Sequence, residues 1–597
     1  MASTHRLTLV STLIVSVVAV AAATRFAPTK AQRADAPAQK STVALAPCQL
    51  AGVEGEVRCG EYEVYENREA RKGRKIKLKI VVLKATGAEK SAPDPYFFIH
   101  GGPGASATAA APGLAEVFAP IRKRRDIVFV DQRGTGGSHP LNCDYFDAKD
   151  LPSYFGSFQP TEDVRRCRKK FDGYADLRLY TTPIAMDDLD EVRAALGYGE
   201  INIEGASYGT RAALVYLKRH PESVRTVTLF GVEPTSNPIP LDFARDAQHA
   251  LDGLLEDCAA DAPCRAAFPS VRDEARAVFA RLKKSPVEVE VLNPRTGDPA
   301  RVKLSRDLAA EAVRYLLYSP DTASQVPLVL HQAAQNDFVP LAEQALFYRV
   351  NLVASGANGM YLSVTCAEDL PRDDLKEAAR TSADTYLGDY RARQQHDACA
   401  LWERAQVPGW FFEPTRSERP VLLFTGEFDP VTPPAHAAET AKYLPNSLNL
   451  VVPHGAHGQD GLVGVECLDN VVADFVERGT TRGLDTSCVA KLRRAGFATK
   501  PFDLKLAHLS DAELQKFAGR YTDERGREFT FEVAGGKLKL TRPDGSIVMY
   551  APVSPVKFRA AGVPGRTLTF EVADGQSLPR GTVMQDEQAV AVLTKKP

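Results

Sequence analysis

The chain has 597 residues, with 74 Lys plus Arg against 75 Asp plus Glu and a formal charge of −1. That length exceeds one ordinary domain and suggests three or four units, or a large core carrying insertions. The balanced charge excludes a global pull toward nucleic acid or an anionic membrane, so no nucleic-acid partner is expected.

The N-terminus, MASTHR followed by LTLVSTLIVSVVAVAAA, has a basic start, an apolar run and small residues at Ala21-Ala22-Ala23. This is the pattern of a cleaved secretory signal over 1–23. As a helix, Leu7 to Ala23 would span only about 25 Å against roughly 30 Å of hydrocarbon, which argues against a retained anchor. Residues 24–44, rich in Ala, Pro, Gln and charge, suit a disordered leader. The expected location is secreted or periplasmic, with no membrane span after processing. Ten cysteines, an even number, fit an oxidising compartment. Connectivity cannot be deduced from sequence. Pairing of neighbours is the expectation: Cys48 with Cys59, Cys143 with Cys167, Cys258 with Cys264, Cys366 with Cys399 and Cys467 with Cys488. No C-x-x-C or H-E-x-x-H spacing occurs, so no metal site is expected.

In chain order, Gly55 to Ala85 shows two alternating runs around a charged, Gly-containing turn, which predicts an antiparallel start to a sheet. Tyr96 to Ile99 is a continuous apolar run ending in His100-Gly101-Gly102-Pro103-Gly104, a buried strand followed by a loop almost without side chains. Asp126 to Val130 is a second such strand, followed by the turn Asp131-Gln132-Arg133-Gly134, expected to brace the glycine loop. Pro183 to Leu196 reads as a helix with Gly197 past its end. Ile201 to Glu204 then leads into Gly205-Ala206-Ser207-Tyr208-Gly209 and a helical segment, the strand, sharp turn and helix of a nucleophile elbow. Arg225 to Phe230 is one more strand. Such alternation predicts an α/β fold with a mostly parallel sheet.

The alternation stops near Gly231-Val232-Glu233-Pro234 and resumes near Arg419. Between lie helices over Phe243 to Leu255, Val271 to Lys284 and Arg306 to Leu317, and a hairpin over Val287 to Leu304. These mark an inserted, mainly helical cap. Pro420 to Thr425 and Ser447 to Val452 complete the sheet, and Val463 to Arg478 reads as a closing helix. The expected units are a core over 45–235 and 410–505, a cap over 236–409, and a small antiparallel β domain over 508–597. The last opens with a capping box at Ser510 and has hairpin signals at Gly535-Gly536 and Asp544-Gly545.

Serine needs a general base at neutral pH, and the base needs a carboxylate to hold its tautomer. In this fold these follow in the order Ser, acid, His, on loops after later strands. Asp429 and His457 occupy those places, with Glu427 and His454 as the rival acid and base. The backbone amides of Tyr208 and Gly102 are the expected oxyanion donors.

HGGPG, DQRGTGGS, GASYG, GEFDPVTP and GAHG together resemble the α/β-hydrolases of the prolyl iminopeptidase and tripeptidyl aminopeptidase group over about residues 45 to 500. The β domain resembles the lipocalin-like accessory domains of some secreted bacterial hydrolases. The first resemblance implies a serine exopeptidase acting on free peptide N-termini, with a helical cap, a peptide substrate and no cofactor. A secreted esterase or amidase without peptide preference is the alternative. A non-catalytic binding protein on this scaffold would normally lack a triad member, and all three are present. An aminopeptidase must also bind a protonated α-amino group, and a carboxylate is the group that can do so in a water-poor cleft. Glu233, where core meets cap, and Glu368, with its neighbour Asp369 beside Cys366, are the candidates.

Overall fold

The computed structural model describes residues 43–87, 91–146, 150–372, 374–501, 505–524, 526–543, 546–571, 580–585 and 588–596. The signal-like segment 1–23, nearly all of the leader and the Asp544-Gly545 turn lie outside the described residues. Among the described residues, no helix is long and apolar enough to cross a membrane.

A nine-stranded sheet runs in the order Ala46–Cys48, Val57–Tyr65, Lys75–Leu83, Ile127–Val130, Tyr96–Ile99, Ile201–Ala206, Val224–Phe230, Val421–Gly426 and Ser447–Val452. The first three pair antiparallel, and the remaining strands pair parallel with one another. Sequence texture follows topology. Lys75–Leu83 begins by alternating exposed and buried residues, whereas Tyr96–Ile99 and Ile127–Val130 are buried throughout, because parallel strands are covered on both faces. Helices Thr182–Ala195 and Tyr208–Arg219 pack one face through residues such as Leu189, Val192 and Leu214. Ala107–Leu114 and Glu466–Arg478 pack the other through Ala111, Val472 and Phe475. The last helix starts later than its periodicity predicts. Gly464 adopts φ 87°, and Leu462–Val463 pairs instead with Arg493–Arg494.

Between Phe230 and Val421 the chain leaves the sheet for helices that include Phe243–Ala260, Val271–Lys284, Arg306–Leu316 and Val339–Ser355, with a hairpin of Val287–Leu292 and Pro299–Leu304. This insertion has its own apolar core, including Leu254, Val278, Val313 and Leu330.

After Lys505 come eight antiparallel strands that close into a barrel, Gly519–Thr522 pairing with Gln588–Lys595 to seal it. A capping box at Ser510 and Glu513 starts the short helix before it. The barrel docks on the cap, against helix Val339–Ser355 and the hairpin. Arg559 Nη1 donates to the Glu343 carboxylate at 2.9 Å, Lys537 Nζ to Asp298 at 2.7 Å, and Leu292 packs with Met549, Ala551 and Ala561.

Disulfides join Cys48 to Cys59, Cys143 to Cys167, Cys258 to Cys264, Cys366 to Cys399 and Cys467 to Cys488. The Cys366–Cys399 bond closes the longest of these loops, with a separation of 33 residues. Replacing both cysteines with serine should cost about 3 to 4 kcal/mol on the chain-entropy account. A lowered thermal midpoint is expected, and an unchanged one would show that this loop is already ordered without its crosslink.

Candidate active site

In an open parallel sheet the loops at the carboxyl ends of the strands share one edge, which is where ligands bind. His100, Ser207, Gly231, Asp429 and His457 all follow strands at that edge. Only Ser207 separates strand Ile201–Ala206 from helix Tyr208–Arg219. So sharp a reversal holds Ser207 at φ 58° and ψ −128°, outside the regions open to most L-residues. Small neighbours make the turn possible: a Cβ on Gly205 would lie 2.3 Å from Gly209 O, and one on Gly209 would lie 2.1 Å from Ile99 O. The Ser207 N–H donates to Phe230 O at 2.8 Å, tying the elbow to the next strand.

The glycine loop lies directly against the serine, since a Cβ on Gly101 would sit 2.8 Å from Ser207 Cβ. Gly101 N–H is engaged by His100 Nδ1 at 2.7 Å. Among the described residues, Gly102 N–H and Tyr208 N–H have no acceptor, the second because it opens a helix. Asp131, fully buried, holds the following segment by accepting from Ser106 Oγ, Thr108 N and Thr108 Oγ1 at 2.8 to 2.9 Å. Arg133, equally buried, forks onto Asp188 at 2.6 and 3.0 Å. These charges are internal struts.

His457 and Asp429 come together. His457 Nδ1 lies 2.9 Å from Asp429 Oδ2 and 3.1 Å from Oδ1, and since the carboxylate only accepts, Nδ1 carries the proton. Asp429 also accepts from Val431 N and Thr432 N at 2.9 Å and from Thr432 Oγ1 at 2.7 Å. Burial opposes the carboxylate charge, but the adjacent His457 ring and the Thr432 donors outweigh it and hold the pKa below the ordinary carboxylate range. Gly231 brings this pair to the serine's side of the sheet: a Cβ there would lie 3.1 Å from His457 Cε1, and Gly231 follows Phe230, the partner of Ser207 N. From the cap, Tyr318 covers the imidazole edge-on at a centroid distance of 5.1 Å. The rivals are committed elsewhere. His454 Nδ1 pairs with Asp257 of the cap at 2.8 Å, and Glu427 accepts from His454 N at 2.9 Å.

The three acids at the junction of core and cap are buried around Arg211, which is itself fully buried one helical turn after the elbow. Arg211 Nη1 donates to Asp369 Oδ1 at 2.8 Å, and Nη2 donates to Asn237 O at 2.8 Å and reaches Glu233 Oε1 at 3.5 Å. Among the described residues, Glu233 Oε2 and Asp369 Oδ2 have no hydrogen-bond partner. Burial pushes the Glu233 pKa up to about 8 against the pull of Arg211 and Asn237, and that of Glu368 to about 7. Glu368 differs from Glu233 in its bonding. Its oxygens accept from Thr182 N and Thr182 Oγ1 at 2.7 and 2.8 Å, and that hydroxyl lies 2.6 Å from Tyr208 OH. Glu368 therefore braces the side chain of the residue after the serine. Thr432, Tyr318 and Thr182 carried no sequence signal. Arg211 carried one: a charge in the first turn of the elbow helix, directly before the uncharged run Ala212 to Leu217, whose burial requires acid partners.

Comparison with known proteins agrees with this architecture. The chain is 25% identical over 480 residues to the serine protease Hip1 of Mycobacterium tuberculosis, covering 74% of this chain and 90% of that protein. It is 25% identical over 497 residues to the tripeptidyl aminopeptidase of Streptomyces lividans, covering 76% and 90%. A shorter stretch of 146 residues is 33% identical to the proline iminopeptidase of Neisseria gonorrhoeae, covering 24% of this chain and 35% of that one. The pattern that defines the alpha/beta hydrolase fold matches residues 95–459. That span runs from the first buried strand past His457, and the chain belongs to the alpha/beta hydrolase family.

Proposed function

We propose that this chain is an exported serine peptidase that removes residues from free peptide N-termini through an acyl-enzyme. The observation that carries the reading is the hydrogen-bonded pair of buried Asp429 and partly buried His457, at the strand edge that also bears the Ser207 elbow. Ser207 Oγ attacks the scissile carbonyl carbon while His457 Nε2 takes its proton. Asp429 stabilises the resulting imidazolium through Nδ1–H. The oxyanion is received by the Gly102 and Tyr208 amides. His457 then gives the proton to the leaving amine, and water repeats the sequence on the acyl-enzyme. No step calls for a cofactor. The disulfides support an oxidising compartment, and hence a secreted or periplasmic site of action.

Recognition of the substrate α-amino group is assigned to Glu233, whose Oε2 has no hydrogen-bond partner among the described residues and only the His436 ring nearby, with Nδ1 at 3.9 Å. Glu368 acts behind it, through Thr182 and Tyr208. Glu233→Gln is expected to weaken cleavage of free-N-terminus peptides by about 1.5 to 3 kcal/mol, the scale of a charged hydrogen bond, with little change on an uncharged ester. Equal losses on both substrates would make Glu233 a structural partner of Arg211 only.

The near-complete burial of Glu233 and its contact with Arg211 favour a second reading, an esterase or amidase without peptide preference. Hydrolysis of free against N-acetylated peptidyl anilides, with a simple ester alongside, separates the two. Robust turnover of the acetylated substrates would sink the aminopeptidase reading.

A further inference from the structure

The loop that carries His457, between strand Ser447–Val452 and the short pairing of Leu462–Val463, leans on the cap as well as on its own sheet. Two main-chain hydrogen bonds join it to the cap turn that follows helix Arg306–Leu316. Gly458 N–H, next to the imidazole in sequence, donates to Tyr318 O at 2.6 Å, and Asp321 N–H donates to Asp460 O at 3.0 Å. The two segments pack so closely that a Cβ on Gly461 would lie 2.5 Å from Asp321 N.

The Tyr318 ring completes the contact, its plane at 69° to the imidazole. It is the outermost of three stacked rings, with Tyr315 at 4.5 Å and Tyr348 a further 3.4 Å beyond Tyr315. Its hydroxyl accepts from Arg314 Nη2 at 3.0 Å. Arg314 is 1% exposed; its guanidinium lies 4.3 Å over the Phe243 ring, and Nη1 donates to Glu311 Oε2 at 3.3 Å. Glu311 Oε1 in turn accepts from Arg391 Nη1, on helix Tyr390–Cys399, at 3.3 Å. Charges taken out of water keep their partners, because a buried charge left alone is strongly destabilising. The chain from Arg391 to Tyr318 is therefore held by the interior of the cap.

Asp429 fixes the direction of His457 Nδ1. It does not fix the tilt of the ring about that bond, and tilt moves Nε2, on the other side of the imidazole, relative to Ser207 Oγ. Proton transfer needs Nε2 within hydrogen-bond reach of the hydroxyl, and small misplacements cost large factors in rate. An aromatic neighbour at 5.1 Å favours an inclined arrangement of the two rings over a parallel one.

We infer that Tyr318 is a positioning residue for the base: its ring sets the tilt of the His457 imidazole, and Arg314 sets the ring. This rests on His457 being the base of the proposed reaction. Tyr318 itself takes and gives no proton. The cap thereby contributes to proton transfer at Ser207 and does more than enclose a substrate.

The test uses the full-length protein and two readouts: kcat and KM on a free-N-terminus peptidyl anilide, and the rate of Ser207 labelling by diisopropyl fluorophosphate, which needs the base but no peptide subsite. Every variant keeps the Tyr318 carbonyl and its bond from Gly458, so changes report the side chain. Tyr318→Leu should lower kcat and labelling at least tenfold each, with KM changed less than threefold. Tyr318→Phe keeps the ring and loses only the Arg314 bond, and should stay within about threefold of wild type on both. His454→Ala, which breaks a different core–cap contact, should change labelling less than twofold. If Tyr318→Leu does not fold, Tyr318→Met takes its place. Labelling of Tyr318→Leu at the wild-type rate overturns the inference, as does Tyr318→Phe as slow as Tyr318→Leu. A raised KM with labelling unchanged also overturns it, and makes Tyr318 a substrate contact. Because labelling needs no peptide, it decides Tyr318 even where the wild type cleaves esters only, the outcome that sinks the peptidase reading alone.

Discussion

Ser207→Ala is expected to lower hydrolysis on the order of 10⁴-fold or more while leaving thermal unfolding nearly unchanged. The loss is large because, on the proposed mechanism, the hydroxyl supplies the attacking atom. The fold tolerates the change because the strained backbone at φ 58° is held by the Ser207 N–H bond to Phe230 O and by the glycine contacts around it, none of which uses the side chain. His457→Ala and Asp429→Asn should fall by similar or slightly smaller factors, since such residues act as a unit. His454→Ala is the control. Its ring is paired with Asp257, so its loss should touch stability at the core–cap contact and spare turnover. Steady-state kinetics on one anilide substrate checks all four, and an inactive His454→Ala beside an active His457→Ala would reverse the assignment of the base.

The second large effect belongs to Arg211. Arg211→Met should destabilise the protein by about 3 to 5 kcal/mol, the cost of leaving buried acids without their counter-ion. Asp369 and Glu233 are both within reach of its guanidinium and are 0% and 1% exposed. The loss should depend on pH with a definite sign. These carboxyls already have raised pKa values from burial, about 8 for Glu233. A folded-state carboxyl pKa raised above its unfolded value means the native state holds the extra proton, so stability falls as pH rises between the two values. Without Arg211 the upward shift grows, and denaturant midpoints should show the variant closest to wild type near pH 5 and furthest from it near pH 8. Adding Asp369→Asn to Arg211→Met should recover part of the loss. A variant that loses stability equally at both pH values would mean that Arg211 matters for packing alone.

What could be read from the sequence was chemistry carried by short, glycine-marked loops. Gly205 and Gly209 around Ser207, and the glycines of the run His100 to Gly104, reveal themselves because a close backbone approach admits no other residue; the Gly-Ala-His-Gly turn at His457 reveals itself by following the last strand of the sheet. Parallel strands such as Tyr96–Ile99 were equally legible, being continuous apolar runs. Arg211 was not recognised as the centre of a cluster because its partners are drawn from the core–cap junction and from the far side of the cap, and no local periodicity links them. Glu368 was read as a ligand group because a charge beside a cysteine in the cap suggests a fixed site; its bonds to Thr182 depend on where a distant helix begins. Closure of the barrel was equally hidden, since hairpin signals give adjacent pairings and say nothing of the first strand meeting the last.

The order of strands in the central sheet also bears on how the chain is made. Ser207 and the glycine loop are synthesised with the first seven strands, but Asp429 and His457 belong to the two that come after the whole cap. Domains fold as units while the chain emerges, N-terminal parts first. A nascent chain therefore presents an elbow with no base for as long as the cap takes to appear. Strand Val421–Gly426 must insert beside Val224–Phe230, already paired on its other edge, before the proton relay exists. On the proposed mechanism, a peptidase built in this order is silent on the ribosome, and its activity begins only once both late strands have docked.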